Sequence, residues 1–401
     1  MEWKEVRLGD VCSISSSKRI FAKEYQSFGV PFYRGKEIIE KQKGNKVSNG
    51  LFITRERYEE IKEKFGVPQN KELLLTSVGT LGVPYVVKDE EFYFKDGNLT
   101  WFRNFNGLDV EYLYYWFLSP YGQNEIDSKA IGSTQKALTI ETLCKFNIKI
   151  PTNIDDQRRI ASILSSLDRK IELNNKINAE LEEMAQAIFK NWFVDFEPFK
   201  DGKFVESELG MIPEGWKVGS PYEYVKVVYG APYKSAKFND NGEGFPLIRI
   251  RDLKDCNPQF YTSEILPQTE YINMGDIVAG MDAEFVPHIW KGKTGLLNQR
   301  VCKLMPQQTS ISNLFVLYLM KPELEFVQSY KTGTTVSHLG KADIDKFVVV
   351  LPPLEVIEEC SKILDSILQK MKNNSAETRT LSLLRDTLLP RLMSGELEVP
   401  E

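Results

Sequence analysis

The chain has 401 residues, of which 42% are hydrophobic and 27% are charged. This length exceeds what one hydrophobic core normally organises and predicts two or more domains, and the ordinary composition excludes a chain that is disordered throughout. No apolar run approaches the roughly 18 to 20 residues that span a bilayer, and Met1–Glu5 lacks the plan of a secretory signal, so we expect a cytoplasmic protein. The formal charge of −5 disfavours a chain that neutralises DNA phosphates alone.

The first clear element is a strand that runs into a long helix. Phe146, Ile148 and Ile150 alternate with less apolar neighbours, which is typical of a half-buried strand. After Pro151 the apolar residues follow the four-three spacing of a helix with a coiled-coil seam. The expected seam consists of Ile160, Leu164, Leu167, Ile171, Asn174, Asn178, Leu181, Ala185 and Ile188.

The segment after this helix contains residues that break helices. Pro198, Pro213 and the glycines at 202, 210 and 215 lie between Phe193 and Trp216. This composition predicts a linker at 193–214.

The second half of the chain repeats the first at an offset of about 200 residues. Residues 132–151 and 333–352 share six identities in twenty positions. A similar Gly-x-Pro segment precedes Arg34 in the first half and Arg249 in the second. Such a repeat predicts two copies of one structural unit. The second helix has its seam at Cys360, Leu364, Ile367, Met371, Asn374, Thr378, Leu381, Arg385 and Leu388.

Two copies of one unit generally pair about a pseudo-twofold axis, so the two helices are expected to be antiparallel, with a globular domain at each end. If the axis passes near Asn174 and Asn374, these two amides face each other and fix the register. The alternative is that both asparagines point to solvent. The other expected partners are Ile160 with Leu388, Leu164 with Leu384, Leu167 with Leu381, and Leu181 with Ile367.

Several motifs resemble the specificity subunits of Type I restriction-modification systems over nearly the whole chain. The run from Gln157 to Asp168 resembles the start of that family's first conserved helix. Residues 191–196 and 208–216 resemble its linker, 389–397 its C-terminal end, and Trp3–Val11 its opening strand. The segment from Trp216 to Ser220 departs from that opening strand, so no motif marks the start of the second domain.

The resemblance implies an α+β fold with two pseudo-twofold-related target-recognition domains separated by two long antiparallel helices. It implies a first recognition domain at 1–150, a helix at 151–192, a linker at 193–214, a second recognition domain at 215–350, a helix at 351–393 and a tail at 394–401. It also implies a non-catalytic subunit that recognises an asymmetric, bipartite double-stranded DNA target. Its partners would be two methyltransferase subunits and the restriction or translocase subunits, with S-adenosylmethionine, ATP and Mg on those partners and no cofactor on this chain.

Basic and polar residues of the two recognition domains are the candidate DNA contacts, because such side chains bind phosphates and base edges. Arg34 and Arg249 are favoured by their equivalent places, as are the two Gly-Ser/Thr-Thr loops. A turn without any DNA contact is an equally good interpretation of those loops, and any single lysine more often is a solvated charge. The candidates are Lys18, Arg19, Arg34, Lys36, Ser133, Thr134, Gln135 and Lys136 in the first domain, and Lys234, Arg249, Arg251, Lys293, Arg300, Thr334, Thr335, Ser337 and His338 in the second.

Catalytic chemistry finds little support in the sequence. The chain has two histidines, His288 and His338, and five widely spaced cysteines, without the spacing of a metal site. Two rival hypotheses remain: a fused nuclease or methyltransferase with an unfamiliar site, and a scaffold whose repeated domains bind proteins, which the acidic composition favours.

Overall fold

The computed structural model describes residues 1–48, 50–132, 136–331 and 338–399. The chain divides into unit 1, which consists of Met1–Glu172 and Thr380–Glu401, and unit 2, which consists of Leu173–Arg379. Each unit mixes helices with several small sheets, which confirms the predicted α+β class. Among the described residues, no helix has the length and apolar character that crossing a membrane requires.

Unit 1 begins with a mixed α/β segment that precedes the first long helix. Its strands are β1 (Trp3–Arg7), β2 (Ser13–Ser15), β3 (Val30–Tyr33), β4 (Leu51–Ile53), β5 (Leu73–Thr76), β6 (Pro84–Val86), β7 (Tyr93–Phe94), β8 (Leu99–Arg103) and β9 (Asn147–Pro151). Its helices are α1 (Leu8–Val11), α2 (Gly35–Gln42), α3 (Arg55–Phe65), α4 (Val110–Leu118), α5 (Pro120–Lys129), α6 (Ile140–Cys144) and α7 (Ile154–Phe193), the last of which continues into unit 2.

Three sheets organise this domain. One has the strand order β2-β8-β5-β6, a second has the order β4-β3-β7, and β1 pairs with β9. Every residue of β5 is buried, as expected for a continuous apolar run in the middle of a sheet. Strand β3 is parallel to β7, and this places the residues after Tyr33 beside those after Phe94.

Unit 2 contains the remaining elements. Its strands are β10 (Phe204–Ser207), β11 (Gly210–Pro213), β12 (Lys217–Gly219), β13 (Val225–Tyr229), β14 (Phe245–Ile248), β15 (Tyr261–Thr262), β16 (Tyr271–Ile272), β17 (Ile277–Gly280), β18 (His288–Ile289), β19 (Gly295–Leu297), β20 (Val301–Pro306) and β21 (Val349–Leu351). Its helices are α8 (Asn313–Lys331), α9 (Lys341–Ile344) and α10 (Leu354–Ser394), the last of which continues into unit 1.

The sheets of unit 2 repeat those of unit 1. The order β13-β20-β17-β18 matches β2-β8-β5-β6, and β15-β14-β19 matches β4-β3-β7 with β16 added. Strand β12 pairs with β21 as β1 pairs with β9, so Lys217 opposite Leu351 corresponds to Lys4 opposite Ile150. The second domain therefore opens with the same strand as the first, although the sequence after Trp216 differs. The segment expected to be a linker contains the hairpin of β10 and β11.

The long helices are antiparallel within unit 1. Residues near the start of α7, such as Ile160 and Leu164, are fully buried in one core with Leu389 and Leu392 of α10. One to two turns further along α7, Asp168 accepts a hydrogen bond of 2.8 Å from Arg385 of α10. Contacts that run forward on α7 and backward on α10 require opposite directions.

The helices are also antiparallel within unit 2, but their register differs from the prediction. Asn374 donates a 3.0 Å hydrogen bond to Asn178, four residues beyond Asn174. Asn174 instead donates to Glu377 at 2.9 Å. The predicted pairing of Asn174 with Asn374 is therefore wrong by about one helical turn. All three asparagines are buried, so they do not point to solvent either.

Most of the residues predicted to form the seam are buried or half-buried. Leu384 is 44% exposed, so its predicted packing against Leu164 is wrong. The others are Ile160, Leu164, Leu167, Ile171, Asn174, Leu181, Ile188, Leu364, Ile367, Met371, Asn374, Leu381 and Leu388.

Candidate nucleic-acid interface

Arg34 lies in a tight turn between β3 and α2. Its guanidinium donates to both carboxylate oxygens of Glu37, with Nη2 at 2.5 Å from Oε1 and Nε at 3.1 Å from Oε2, and its backbone N–H donates to the same carboxylate at 2.8 Å. Glu37 is fully buried, and burial alone would raise its pKa, but the hydrogen bonds from Arg34 outweigh this and lower the pKa. The buried carboxylate therefore holds Arg34 in one orientation.

Arg249 occupies the equivalent turn after β14. Its backbone N–H donates to Asp252 at 2.9 Å, as Arg34 does to Glu37. The guanidinium carbon lies 5.2 Å from the ring centre of Phe260, a cation–π contact that takes the place of the ion pair in unit 1. Burial raises the pKa of Asp252, against the effect of that backbone hydrogen bond.

A groove beside Arg34 has a volume of about 480 Å³. Its walls come from the turn that starts α2, from the residues after β5 and from Asn98, which directly precedes β8. The lining residues are Arg34, Gly35, Lys36, Ile39, Glu40, Val78, Thr80 and Asn98. Of the predicted DNA-contacting residues in unit 1, this groove brings together Arg34 and Lys36.

A charged cluster occupies the equivalent place in unit 2. The carboxylate of Asp282 lies 3.1 Å from Nη1 of Arg300 and 2.7 Å from Nδ1 of His338. Arg300 and His338 are among the predicted DNA contacts, whereas Asp282, which joins them, is not. The only local signal was its position just after the buried strand β17.

The remaining described candidates do not line the groove beside Arg34. Nζ of Lys18 lies 4.6 Å from the ring centre of Phe65. Arg19 and Lys136 form exposed ion pairs at 2.9 and 3.4 Å, respectively, which contribute little to stability. Lys234, Arg251 and Lys293 are exposed. Ser133, Thr134, Gln135, Thr334, Thr335 and Ser337 lie outside the described residues.

Chemical groups for catalysis are sparse where the structure describes the chain. In that part, no three His, Cys, Asp or Glu residues are grouped so that they could hold a metal ion. Burial raises the pKa of the thiols of Cys12, Cys302 and Cys360 to about 12, so they are protonated and unreactive near neutral pH.

Comparisons with known proteins agree on one family. The model of the Type I restriction modification DNA specificity domain matches residues 1–183 and 213–381. The specificity subunit of the MjaIX enzyme of Methanocaldococcus jannaschii is 27% identical, and the alignment covers 100% of this chain and 94% of that protein. The HindI specificity subunit of Haemophilus influenzae is 26% identical over 66% of this chain and 72% of its own.

A solved structure has the same fold at low sequence identity. The crystal structure of a Type-I restriction-modification S subunit from M. genitalium superposes with a TM-score of 0.60 and 16% identity. The match covers 98% of this chain and 96% of that one.

Proposed function

The chain belongs to the family of Type I restriction modification DNA specificity domains, and from this premise we propose that it recognises an asymmetric, bipartite DNA target and docks the other subunits of its complex. Members of this family specify the DNA target and are not catalytic, so the chain is not itself an enzyme. The recognition domains of the proposal are residues 1–150 and 215–350. Action on cellular DNA would place the protein in the cytoplasm.

The observation that carries the proposal is that the two units share one backbone plan but differ in their surface side chains. The strand orders match, and Arg34 and Arg249 occupy the same turn. Arg34 is held by a buried carboxylate, whereas Arg249 rests on an aromatic ring. Side chains form the contacts that distinguish bases. Two domains with the same backbone but different side chains therefore favour two different half-sites.

Exposed apolar residues on the long helices support docking of two methyltransferase subunits. Unit 1 exposes Ile163 and Leu384, and unit 2 exposes Ile363 and Met184 at the corresponding positions of the repeat. Large exposed apolar side chains that recur in both copies are typical of a contact made twice. The restriction or translocase subunits would join the same complex, with S-adenosylmethionine, ATP and Mg bound by partner subunits.

A domain exchange tests the proposal. Residues 1–150 are replaced by the recognition domain of a related subunit, and the methylated sites are mapped in DNA from cells that also carry the partner genes. One half of the target should change, and the other half should stay the same. A target that changes throughout, or does not change, would contradict a two-reader arrangement.

The rival hypothesis of a protein-binding scaffold makes a different prediction. The acidic composition favours it, since the chain carries 56 acidic and 51 basic residues. In gel-shift assays with its methyltransferase subunit, a scaffold should leave the sequence preference of the complex unchanged when residues 1–150 are exchanged.

A further inference from the structure

The same backbone corner occurs in both units, directly after the inner strand β5 in unit 1 and directly after the inner strand β17 in unit 2. In unit 1, Ser77 donates a 2.9 Å hydrogen bond to the carbonyl of Asn98 and accepts one of 2.9 Å from the N–H of Leu138. In unit 2, Met281 makes the corresponding bonds with Arg300 and Leu339 at 2.9 and 2.7 Å. Both corners are therefore held by the same backbone bonds.

The side chains that these corners present differ. Val78 pairs with Ala137 in unit 1, and Asp282 pairs with His338 at the matching place in unit 2. We define the unit 1 corner as Val78, Asn98 and Ala137, and the unit 2 corner as Asp282, Arg300 and His338. In unit 1 the amide of Asn98 thus has two apolar neighbours. At the matching place in unit 2, the guanidinium of Arg300 lies beside a carboxylate and an imidazole.

The backbone at Asn98 and at Arg300 is rigidly supported. Each is followed at once by a buried core residue, Leu99 and Val301, at 1% and 0% exposure. The backbone of Asn98 and that of Arg300 are therefore fixed. The side chain of Asn98 is half-exposed, and that of Arg300 is exposed. A contact that must distinguish bases needs such a fixed origin.

The free donors at both positions suit base edges. Arg300 uses Nη1 for Asp282, and its Nε and Nη2 donate to no residue in the described part of the chain. Asp282 thereby orients the guanidinium of Arg300 and leaves its Nε and Nη2 donors available. The side-chain amide of Asn98 forms no hydrogen bond with the residues that the structure describes, and it lines the groove beside Arg34.

Resting on the proposed function, we propose that Arg300 and Asn98 are specificity-determining residues, each of which reads one base pair of the half-site bound by its own unit. The fork of arginine matches O6 and N7 of guanine, and the amide of asparagine matches N6 and N7 of adenine. Arg300 therefore selects guanine, Asn98 selects adenine, and Asp282 is a positioning residue for Arg300.

The test uses the full chain assembled with its methyltransferase subunits and a library of DNA duplexes with randomised sequence. Bound duplexes are sequenced for the wild type and for Arg300→Ala, Asn98→Ala and the control Lys226→Ala, an exposed residue on β13 of unit 2. Arg300→Gln serves as a second variant, which keeps a polar side chain but is shorter and lacks the guanidinium fork. Thermal unfolding of each variant verifies that it is folded.

We expect Arg300→Ala to lose guanine preference at one base pair of one half-site, with discrimination there reduced about ten- to hundred-fold. Asn98→Ala should lose adenine preference in the other half-site, and Lys226→Ala should keep the whole consensus. Uniformly weaker binding with an unchanged consensus would mean a phosphate contact and would overturn the inference. A wild-type complex that enriches no sequence would overturn the proposed function, and this inference with it.

Discussion

Asn374 donates a 3.0 Å hydrogen bond to the side-chain oxygen of Asn178, and both amides are buried between α7 and α10 in unit 2. Asn178 in turn donates to Oγ of Ser375 at 3.0 Å and to the carbonyl of Met371 at 3.3 Å. A polar network in an apolar seam fixes the register, because any slip would leave buried groups without partners.

Replacement of Asn178 by alanine should destabilise the protein by about 1–3 kcal/mol, because the buried amide of Asn374 loses the acceptor of its hydrogen bond. Denaturant unfolding followed by circular dichroism measures the change. Asn175→Ala is the matched control, since Asn175 is exposed on the same helix and its loss should change stability by less than about 0.5 kcal/mol. Equal effects of the two substitutions would contradict a structural role for the network.

The equivalent acidic residues Glu37 and Asp252 should respond differently to loss of charge. Glu37 has its pKa lowered by its bonds to Arg34, so its charged form stabilises unit 1 at neutral pH. The pKa of Asp252 is raised by burial, so its charged form is disfavoured by folding. We expect Glu37→Gln to cost about 1–3 kcal/mol and Asp252→Asn less than about 1 kcal/mol, as measured by urea denaturation at neutral pH.

The lowered pKa of Glu37 also predicts how stability depends on pH. A lowered carboxyl pKa contributes stability above the unfolded value, and that contribution is lost as the pH falls through the folded value. The difference between wild type and Glu37→Gln should therefore shrink as the pH falls below the ordinary glutamate value of 4.5. A difference that is independent of pH would show that packing, rather than charge, accounts for the role of Glu37.

The duplicated plan could be predicted from the sequence, because it depends on a pattern that repeats over many residues. The α+β class and the family followed from motifs that resemble those of known specificity subunits. The helix register could not. A shift of four residues is about one helical turn and leaves the same face of α7 toward α10, so the apolar spacing fits both registers. The hydrogen bonds of Asn178 select one of the two registers, and the spacing of apolar residues does not predict those bonds.

Two further features could not be predicted from the sequence, one in the candidate site and one in the fold. Asp282 meets Arg300 and His338 across separations of 18 and 56 residues, so no local spacing indicates the cluster. The opening strand of unit 2 has side chains that depart from those of β1, so its motif does not identify it. Pairing of β12 with β21 is made by backbone groups, which tolerate that change.

His288 predicts a second, independent pH dependence. Burial lowers its pKa from 6.5, against the opposing effect of Glu284 and Glu182, and its Nε2 has no hydrogen-bond partner in the described chain. Folding therefore favours the neutral imidazole. The contribution of the neutral His288 to the free energy of unfolding should be fully present above pH 6.5. It should fall as the pH drops from 6.5 toward the lower pKa of the folded state, because His288 of the unfolded chain takes up a proton first.

Urea unfolding of the wild type and of His288→Gln between about pH 8 and pH 5.5 tests this. The difference at about pH 8 is the baseline, since the imidazole is neutral in both states there. We expect the variant to lose less stability than the wild type on acidification. Parallel loss in both proteins would assign the acid sensitivity to other groups.

The net charge predicts how DNA affinity should depend on salt. Each phosphate that a protein neutralises adds about 0.9 to the slope of log affinity against log salt concentration. A chain with formal charge −5 offers few contacts of this kind by itself, and several of its candidate cations, such as Arg19 and Lys136, already have carboxylate partners. Most of the phosphate contacts should therefore come from the methyltransferase subunits of the proposed complex.

Fluorescence anisotropy of a labelled duplex that contains the mapped target, titrated over a series of salt concentrations, measures both slopes. We expect a much shallower slope for the isolated chain than for its complex with methyltransferase subunits. A duplex with both half-sites scrambled is the control, because it should lower the affinity of the complex at every salt concentration while phosphate contacts keep the slope steep. Equal slopes for chain and complex would mean that the chain makes the phosphate contacts by itself, through a local basic surface, despite its negative net charge.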